Sequence, residues 1–374
     1  MARKRVIYQS EALFSAATGA EGPADIAQIH RVQDISHSVE VARTDVNEFG
    51  KLAALSREVI EVPTVSADFT YYAIDGQNEA SGLGLTVDGH NATIPTNCLS
   101  GIMAEDSAVA EKNYYVLTVA EGNDATQANS YTPAQYAEQG VIGIGNGFLT
   151  SYGFSASVGE IPSASISVEA SNLRFDIGGS GFDNPAVDID GSAVGTSVVL
   201  PNSTTGDLQA FAVRPGDITV DFGTATLQQG GAILPGMTEG DAANGSKACV
   251  QSVSIDLPLS RTPLQCLGSP FPKSRELDLP ITATLTVSAN LADISSGALN
   301  DLICNDASTR NISVVLNTRC KDSDIMRFDF KGAQLDSQSM SSTIGDNKSV
   351  DLSFSAQIGG PQDADNGVFI SGSN

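Results

Sequence analysis

The chain has 374 residues and a formal net charge of −24, with 44 acidic against 20 basic side chains. That balance excludes a protein built to grip a phosphate backbone, which needs clustered Lys and Arg, and fits solubility instead. Apolar residues at 41% supply cores for one or two domains, and the absence of Trp, with 36 glycines and Ser and Thr between short apolar runs, points to an all-β chain with many turns.

Residues 1–32 read as an extended N-terminal arm. The basic start Met1-Ala2-Arg3-Lys4-Arg5 is followed too soon by Glu11 and by the turn at 19–23 to be a signal peptide. No run of 18 apolar residues occurs anywhere, so no membrane span is expected. A first strand is predicted around Ile35, His37, Val39 and Val41, then a long loop over 42–57. Further strands follow at 67–73 and 114–119, and a short helix is expected near 96–105. Gly143-Ile144-Gly145-Asn146-Gly147 lacks the third spacing and the Lys of a phosphate-binding loop and is read as a strand connection. Ala164, Ile166, Val168 and Ala170 alternate as a half-buried strand should, behind a turn at Val158-Gly159-Glu160.

Residues 176–247 are rich in Gly, Asp, Ser, Thr and Pro and read as a connector, with strand candidates at 197–200 and 210–213. Asp183, Asp188, Asp190 and Gly191 hint at a calcium loop but lack the ligand order and closing Glu of an EF-hand. From 248 the pattern of the first copy begins again. Val253, Ile255, Leu257 and Leu259 alternate, a second long loop covers 260–275, and strands are predicted at 281–289 and 312–316. A helix over 293–303 precedes a closing hairpin that turns at Ile344-Gly345 and continues through Val350, Leu352, Phe354 and Ala356.

The recurrence is in the letters as well as the pattern. At an offset of 218, residues 33–58 match 251–276 at Gln33/Gln251, Ser36/Ser254, Arg43/Arg261, Thr44/Thr262 and Gly50/Gly268, and Ser56-Arg57-Glu58 repeats as Ser274-Arg275-Glu276. At an offset of 186, Leu149, Ser151, Ser155, Gly159 and Ala170 match Leu335, Ser337, Ser341, Gly345 and Ala356. The chain is therefore read as a duplication, with repeats at 33–175 and 248–360 and a C-terminal tail at 361–374. The first copy is longer between its matched blocks: Gln33 to Leu149 covers 116 positions and Gln251 to Leu335 only 84.

Residues 251–267, QSVSIDLPLSRTPLQCL, with the Ser-Arg-Glu triplet, and residues 338–360, QSMSSTIGDNKSVDLSFSAQIGG, resemble the entry strand, loop and closing hairpin of siphophage tail tube proteins. The first-copy segments VEVARTDVNEFGKL and YGFSASVGEIPSASISVEA are similar in kind. The resemblance implies a mainly β fold of two tandem β-sandwich or partial-barrel domains, each with one short helix. It further implies a virion structural protein, made in the host cytoplasm, whose inner sheets line a channel for DNA ejection. Rings of three chains would stack through the long loops, next to tape measure, terminator and baseplate proteins, while DNA passes without specific binding. The residues marked out for inter-ring contact are Val46, Phe49, Leu52, Leu55 and Arg57 in the first loop, and Leu264, Leu267 and Arg275 in the second.

Other chemistries find little support. The five cysteines have no C-x-x-C spacing, and His30, His37 and His90 have no ligand partners at metal spacing, so no metal site, cofactor or disulfide framework is expected. His37 takes the place of Ile255 in the repeat and is read as a core or interface residue. No G-x-S-x-G or nucleophile–base pairing appears, and no enzyme is expected. A polysaccharide hydrolase would stack sugars on aromatics, which here total 6% with no Trp. The remaining alternative is a β-rich virion or surface binding module, an adhesin or baseplate component that forms no tube.

Overall fold

The computed structural model describes residues 11–89, 92, 95–104, 109–119, 125, 140–177, 181–195, 197–201, 217–222, 249–291, 309–317, 324–345 and 347–372. The chain is mainly β, built on large antiparallel sheets that do not close into a barrel. The first copy contributes β3 (Val32–Glu40), the short ribbon of β4 (Thr44–Val46) and β5 (Ser56–Glu58), then β6 (Thr64–Tyr72). After a π-helical turn (Asn78–Leu83) come β7 (Val87–Gly89), the single-turn α1 (Ser100–Met103), β8 (Glu111–Thr118), β9 (Gly140–Ser157), β10 (Ser163–Ala170) and β11 (Asn172–Ile177). The second copy repeats this as β15 (Cys249–Pro258), the ribbon β16 (Arg261–Leu264) and β17 (Ser274–Leu277), β18 (Thr282–Asn290), β19 (Arg310–Asn317), β20 (Asp324–Ser341) and β21 (Ser349–Gln357).

Pairing order repeats with the sequence. In the first copy β3 pairs β6, β6 pairs β10, β10 pairs β9 and β9 pairs β8. In the second, β15 pairs β18, β18 pairs β21, β21 pairs β20 and β20 pairs β19. Even the irregularity repeats, since the register slips at Thr150 of β9 and at the matching Asp336 of β20. Antiparallel pairing of β9 with β15 joins the copies, and β20-β21-β18-β15-β9-β10-β6-β3 runs as one continuous sheet.

The alternation read from sequence decides which side of that sheet is core. Val65, Ala67, Phe69 and Tyr71 of β6, Ala164, Ile166 and Val168 of β10, and Ala283, Leu285 and Val287 of β18 are all buried in one cluster. Strands β8, β9 and β19 with the first half of β20 cover this side and complete the core.

Several expectations need correction. Residues 11–29 are not a free arm: β1 (Glu11–Ala17) pairs with β8 and with β2 (Ile26–Ile29), and Leu13, Phe14 and Ala16 are buried. Nor is 361–374 merely a tail. Strand β22 (Gly367–Gly372) lies antiparallel to β20 and parallel to β7, burying Val368, Phe369 and Ile370. The glycines at 143–147 stand inside β9, not in a connection, because a segment of the connector crosses there. A Cβ at Gly145 would come 2.2 Å from the Pro185 carbonyl oxygen, and one at Gly143 2.9 Å from the Pro185 ring. Within 176–247, β12 (Phe182–Asp183) pairs β13 (Ser197–Val198) and β14 (Ile218–Asp221) extends the sheet beside β19. The helix expected at 293–303 and the strand at 210–213 lie outside the described residues. No helix among the described residues is long and apolar enough to cross a membrane.

Candidate assembly surfaces

Among the described residues, the eight-stranded sheet ends in two strand edges that no further strand pairs, β3 on one side and the second half of β20, 334–341, on the other. Each edge has an intact counterpart inside the molecule, because β3 repeats β15 and this half of β20 repeats the half of β9 that pairs β15. At that internal seam Ser155 faces Ser254, Phe154 faces Ile255 and Tyr152 faces Leu257. Side chains on the core face there are sealed: Leu257 is 1% exposed and Leu259 0%. Their repeat partners at the open edge, Val39 and Val41, are 48% and 40% exposed, and Met340, the partner of Phe154, is 39% exposed. Chemically similar residues thus differ in burial because β15 is paired on both sides and β3 only with β6. His37 stands on the open strand, its ring 6.4 Å from that of Phe175. The structure puts it at the edge and not in the core.

Opposite the core, the sheet presents a surface of one chemical kind. Along β6 it carries Ser66, Asp68 and Thr70, along β10 Ser163, Ser165 and Ser167, along β15 Ser252, Ser254 and Asp256, and along β18 Thr282, Thr284 and Thr286. Strand β3 adds Asp34, Ser36, Ser38 and Glu40, and β21 adds Ser349, Asp351, Ser353 and Ser355. Neither Lys nor Arg occurs among these positions. Several hydroxyls hold the carboxylates in place: the Ser167 hydroxyl donates to Asp68 at 2.7 Å, and that of Ser355 donates to Asp336 at 2.9 Å.

The two long loops leave the same end of the sheet. Phe49 and Leu52 at the tip of the β4–β5 loop and Leu267 in the β16–β17 loop are fully exposed, and Val46, Leu55 and Leu264 are exposed as well. Arg57 is exposed and donates to Asp45 of the adjacent strand at 2.7 Å. Arg275, its repeat partner, differs: its guanidinium is buried and donates to Glu169 of the first copy, so it is a junction residue within the chain and not a loop-tip contact. Beside it Arg261 donates from Nε to the Leu149 carbonyl (3.2 Å) and from Nη1 to the Arg275 carbonyl (2.8 Å), and its guanidinium lies 5.1 Å from the Phe148 ring centre. Burial draws the Arg261 pKa down to about 10, against the opposing pull of Glu276. A cavity of about 840 Å³ opens here between the second loop's base and α1.

At the far end of the strands the hairpin tips carry Val158 and Ile161 in one copy and Ile344 in the other, all exposed. Val158 and Ile344 are named from sequence only as turn residues, and Ile161 is not named there. Gly159 and Gly345 turn both tips with φ of 94° and 97°, a conformation glycine adopts freely. Both ends of the sheet therefore present exposed apolar side chains.

The remaining candidates do not form a site. Asp183 pairs with Arg174, Asp190 accepts from the Ser192 amide at 2.8 Å, and Asp188 caps its own turn, so the three carboxylates do not converge. Among the described residues no group of His, Cys, Asp and Glu could hold a metal ion. No family model and no curated protein matches the chain.

Proposed function

We propose that this chain is a structural building block that assembles with its own copies into stacked rings forming a tube. The observation that carries this reading is the continuous eight-stranded sheet with two different open edges, each the repeat equivalent of a strand already paired within the chain. A monomer with such edges is exposed to uncontrolled pairing, whereas a closed ring removes every edge. Because the edges differ, the contact is head-to-tail, and rotation from one copy to the next decides whether it closes.

The face opposite the core suits a channel wall. Its carboxylates Asp34, Glu40, Asp68, Asp256 and Asp351 repel a passing phosphate backbone, its Ser and Thr hydroxyls add no charge, and none of the positions named above is a Lys or Arg that could hold one. This supports the tail-tube resemblance, with the two copies as tandem tube domains and three chains to a ring. Exposed Phe49, Leu52 and Leu267 at one end and Val158 and Ile344 at the other give successive rings apolar surface to stack through.

Electron microscopy of the purified full chain tests the proposal. Long tubes of uniform diameter are expected, and a persistent monomer or a small closed oligomer at high concentration would overturn it.

A further inference from the structure

Given the assembly reading above, the internal seam supplies a template for the contact between two chains. Applying the two repeat offsets to the β9–β15 pairing places Ser341 of one copy opposite Ser36 of the next, Met340 opposite His37, and Gln338 opposite Val39. Backbone contacts that flank the seam transfer as well. The Leu259 amide donates to the bulge carbonyl of Thr150 at 2.8 Å, which predicts donation from the Val41 amide to the Asp336 carbonyl. Arg261 on the Leu149 carbonyl likewise predicts Arg43 on that of Leu335.

One contact cannot transfer unchanged. Within the chain, Arg275 is clasped by Glu169, and the repeat equivalent of Glu169 is Ser355, which has no charge. The carboxylate is nevertheless present one strand over. Asp336, at the bulge that Thr150 occupies in the first copy, is exposed and sits 2.9 Å from the Ser355 hydroxyl. Arg57, the equivalent of Arg275, is exposed and holds only Asp45 of its own ribbon. We propose that a second copy of the chain docks on the open half of β20 in the register of the internal seam, with Arg57 of β5 paired to Asp336 of that neighbour. The pair selects the register. A slip of one residue would turn Val39 and Val41 to the hydroxyl-rich face, and a slip of two would carry Arg57 off the carboxylate.

Charge exchange tests this. Arg57→Asp and Asp336→Arg should each raise the concentration at which sedimentable assemblies appear by more than about tenfold, since like charges then meet across a closing interface. Combining them in one chain should restore assembly to near the wild-type concentration. Both positions are exposed, so the melting temperature of the unassembled chain should not move. Normal assembly of Asp336→Arg, or a double variant no better than the singles, would overturn the pairing.

Disulfide trapping fixes the register independently. In a background with Cys249, Cys266, Cys304 and Cys320 replaced by Ser, Ser36→Cys with Ser341→Cys should cross-link chains, and Ser36→Cys with Ser339→Cys should not. Tubes that form without this cross-link would sink the register and leave the assembly reading standing, whereas a wild-type chain that stays monomeric would sink both.

Discussion

Glu79 is a carboxyl buried in the core of the first copy. It sits on the π-helical turn, wholly buried, and accepts from the hydroxyls of Tyr71 at 2.7 Å and Tyr152 at 3.1 Å. Burial raises its pKa above the ordinary carboxylate value, and the two phenolic donors pull only partly the other way. A carboxyl whose pKa is raised on folding is protonated more readily in the native state. Its stabilising contribution is complete below the unfolded pKa of about 4.3 and is lost as pH rises through the folded value. Glu79→Gln should therefore flatten the fall in melting temperature above about pH 4.3 relative to wild type. Parallel pH profiles for the two proteins would discount the burial argument. The loop tips give the opposite case, residues that stabilise nothing in the single chain. Phe49→Asp combined with Leu267→Asp should change folding stability by no more than about 0.5 kcal/mol per site and abolish elongation into tubes. Ultracentrifugation distinguishes soluble rings from polymer, and normal polymerisation would refute the stacking role.

At the scale of elements, β3 and β15 are the informative pair. They share alternation and repeat position, yet one faces water where the other faces a core. Leu257→Ala should cost about 2–5 kcal/mol, as large-to-small changes in packed cores do, while Val39→Ala should leave the unassembled chain nearly unchanged. Chemical denaturation measures both, and equal losses would mean that β3 is already covered in solution. The same pair marks how far the sequence was legible. Offsets of 218 and 186 located both hairpins and both entry strands from their letters, because a half-buried strand shows its period directly. Strand β1 escaped that reading because Leu13 and Phe14 are consecutive and both are buried, with two clusters claiming opposite sides of the strand. The first half of β9 escaped because its glycines are dictated by Pro185 crossing it, a contact 40 or more positions away in the chain. Loop residues Phe49, Leu52 and Leu267 could be named from sequence because they are large apolar side chains within long loops that also carry charged residues. Arg275 is buried where Arg57 is not, since the burial of a loop-base arginine depends on the strand behind it, and only the second copy's loop has the first copy's Glu169 there.

For the whole molecule, the proposed ring draws its count from the two copies. If each copy supplies one sector of the wall, three chains close a ring that a single-domain protein would need six to close. The insert between matched blocks of the first copy, 116 positions against 84, then breaks strict sixfold symmetry. Native mass measurement should give three chains per ring, and six would remove one copy from the wall. Assembled tubes should not retain duplex DNA even at low salt, where attraction to phosphate is strongest, because the positions named on the open sheet face carry carboxylates and no Lys or Arg. Retardation by tubes would contradict that lining.

The seam between β9 and β15 also has a kinetic consequence. Ser155 meets Ser254 as soon as one polypeptide folds, whatever the concentration of other chains. Joining the two sectors covalently turns that encounter from bimolecular into intramolecular, with an effective concentration set by the connector and not by expression level. In a three-chain ring, half of the joints would form during folding, and only the β3–β20 joints would wait for collision. Ring nucleation should then depend less steeply on chain concentration than in a ring of six separate units, so that closed rings appear while protein is still dilute. Separating the chain within 223–248 should restore the steep dependence and lengthen the lag before the first tubes.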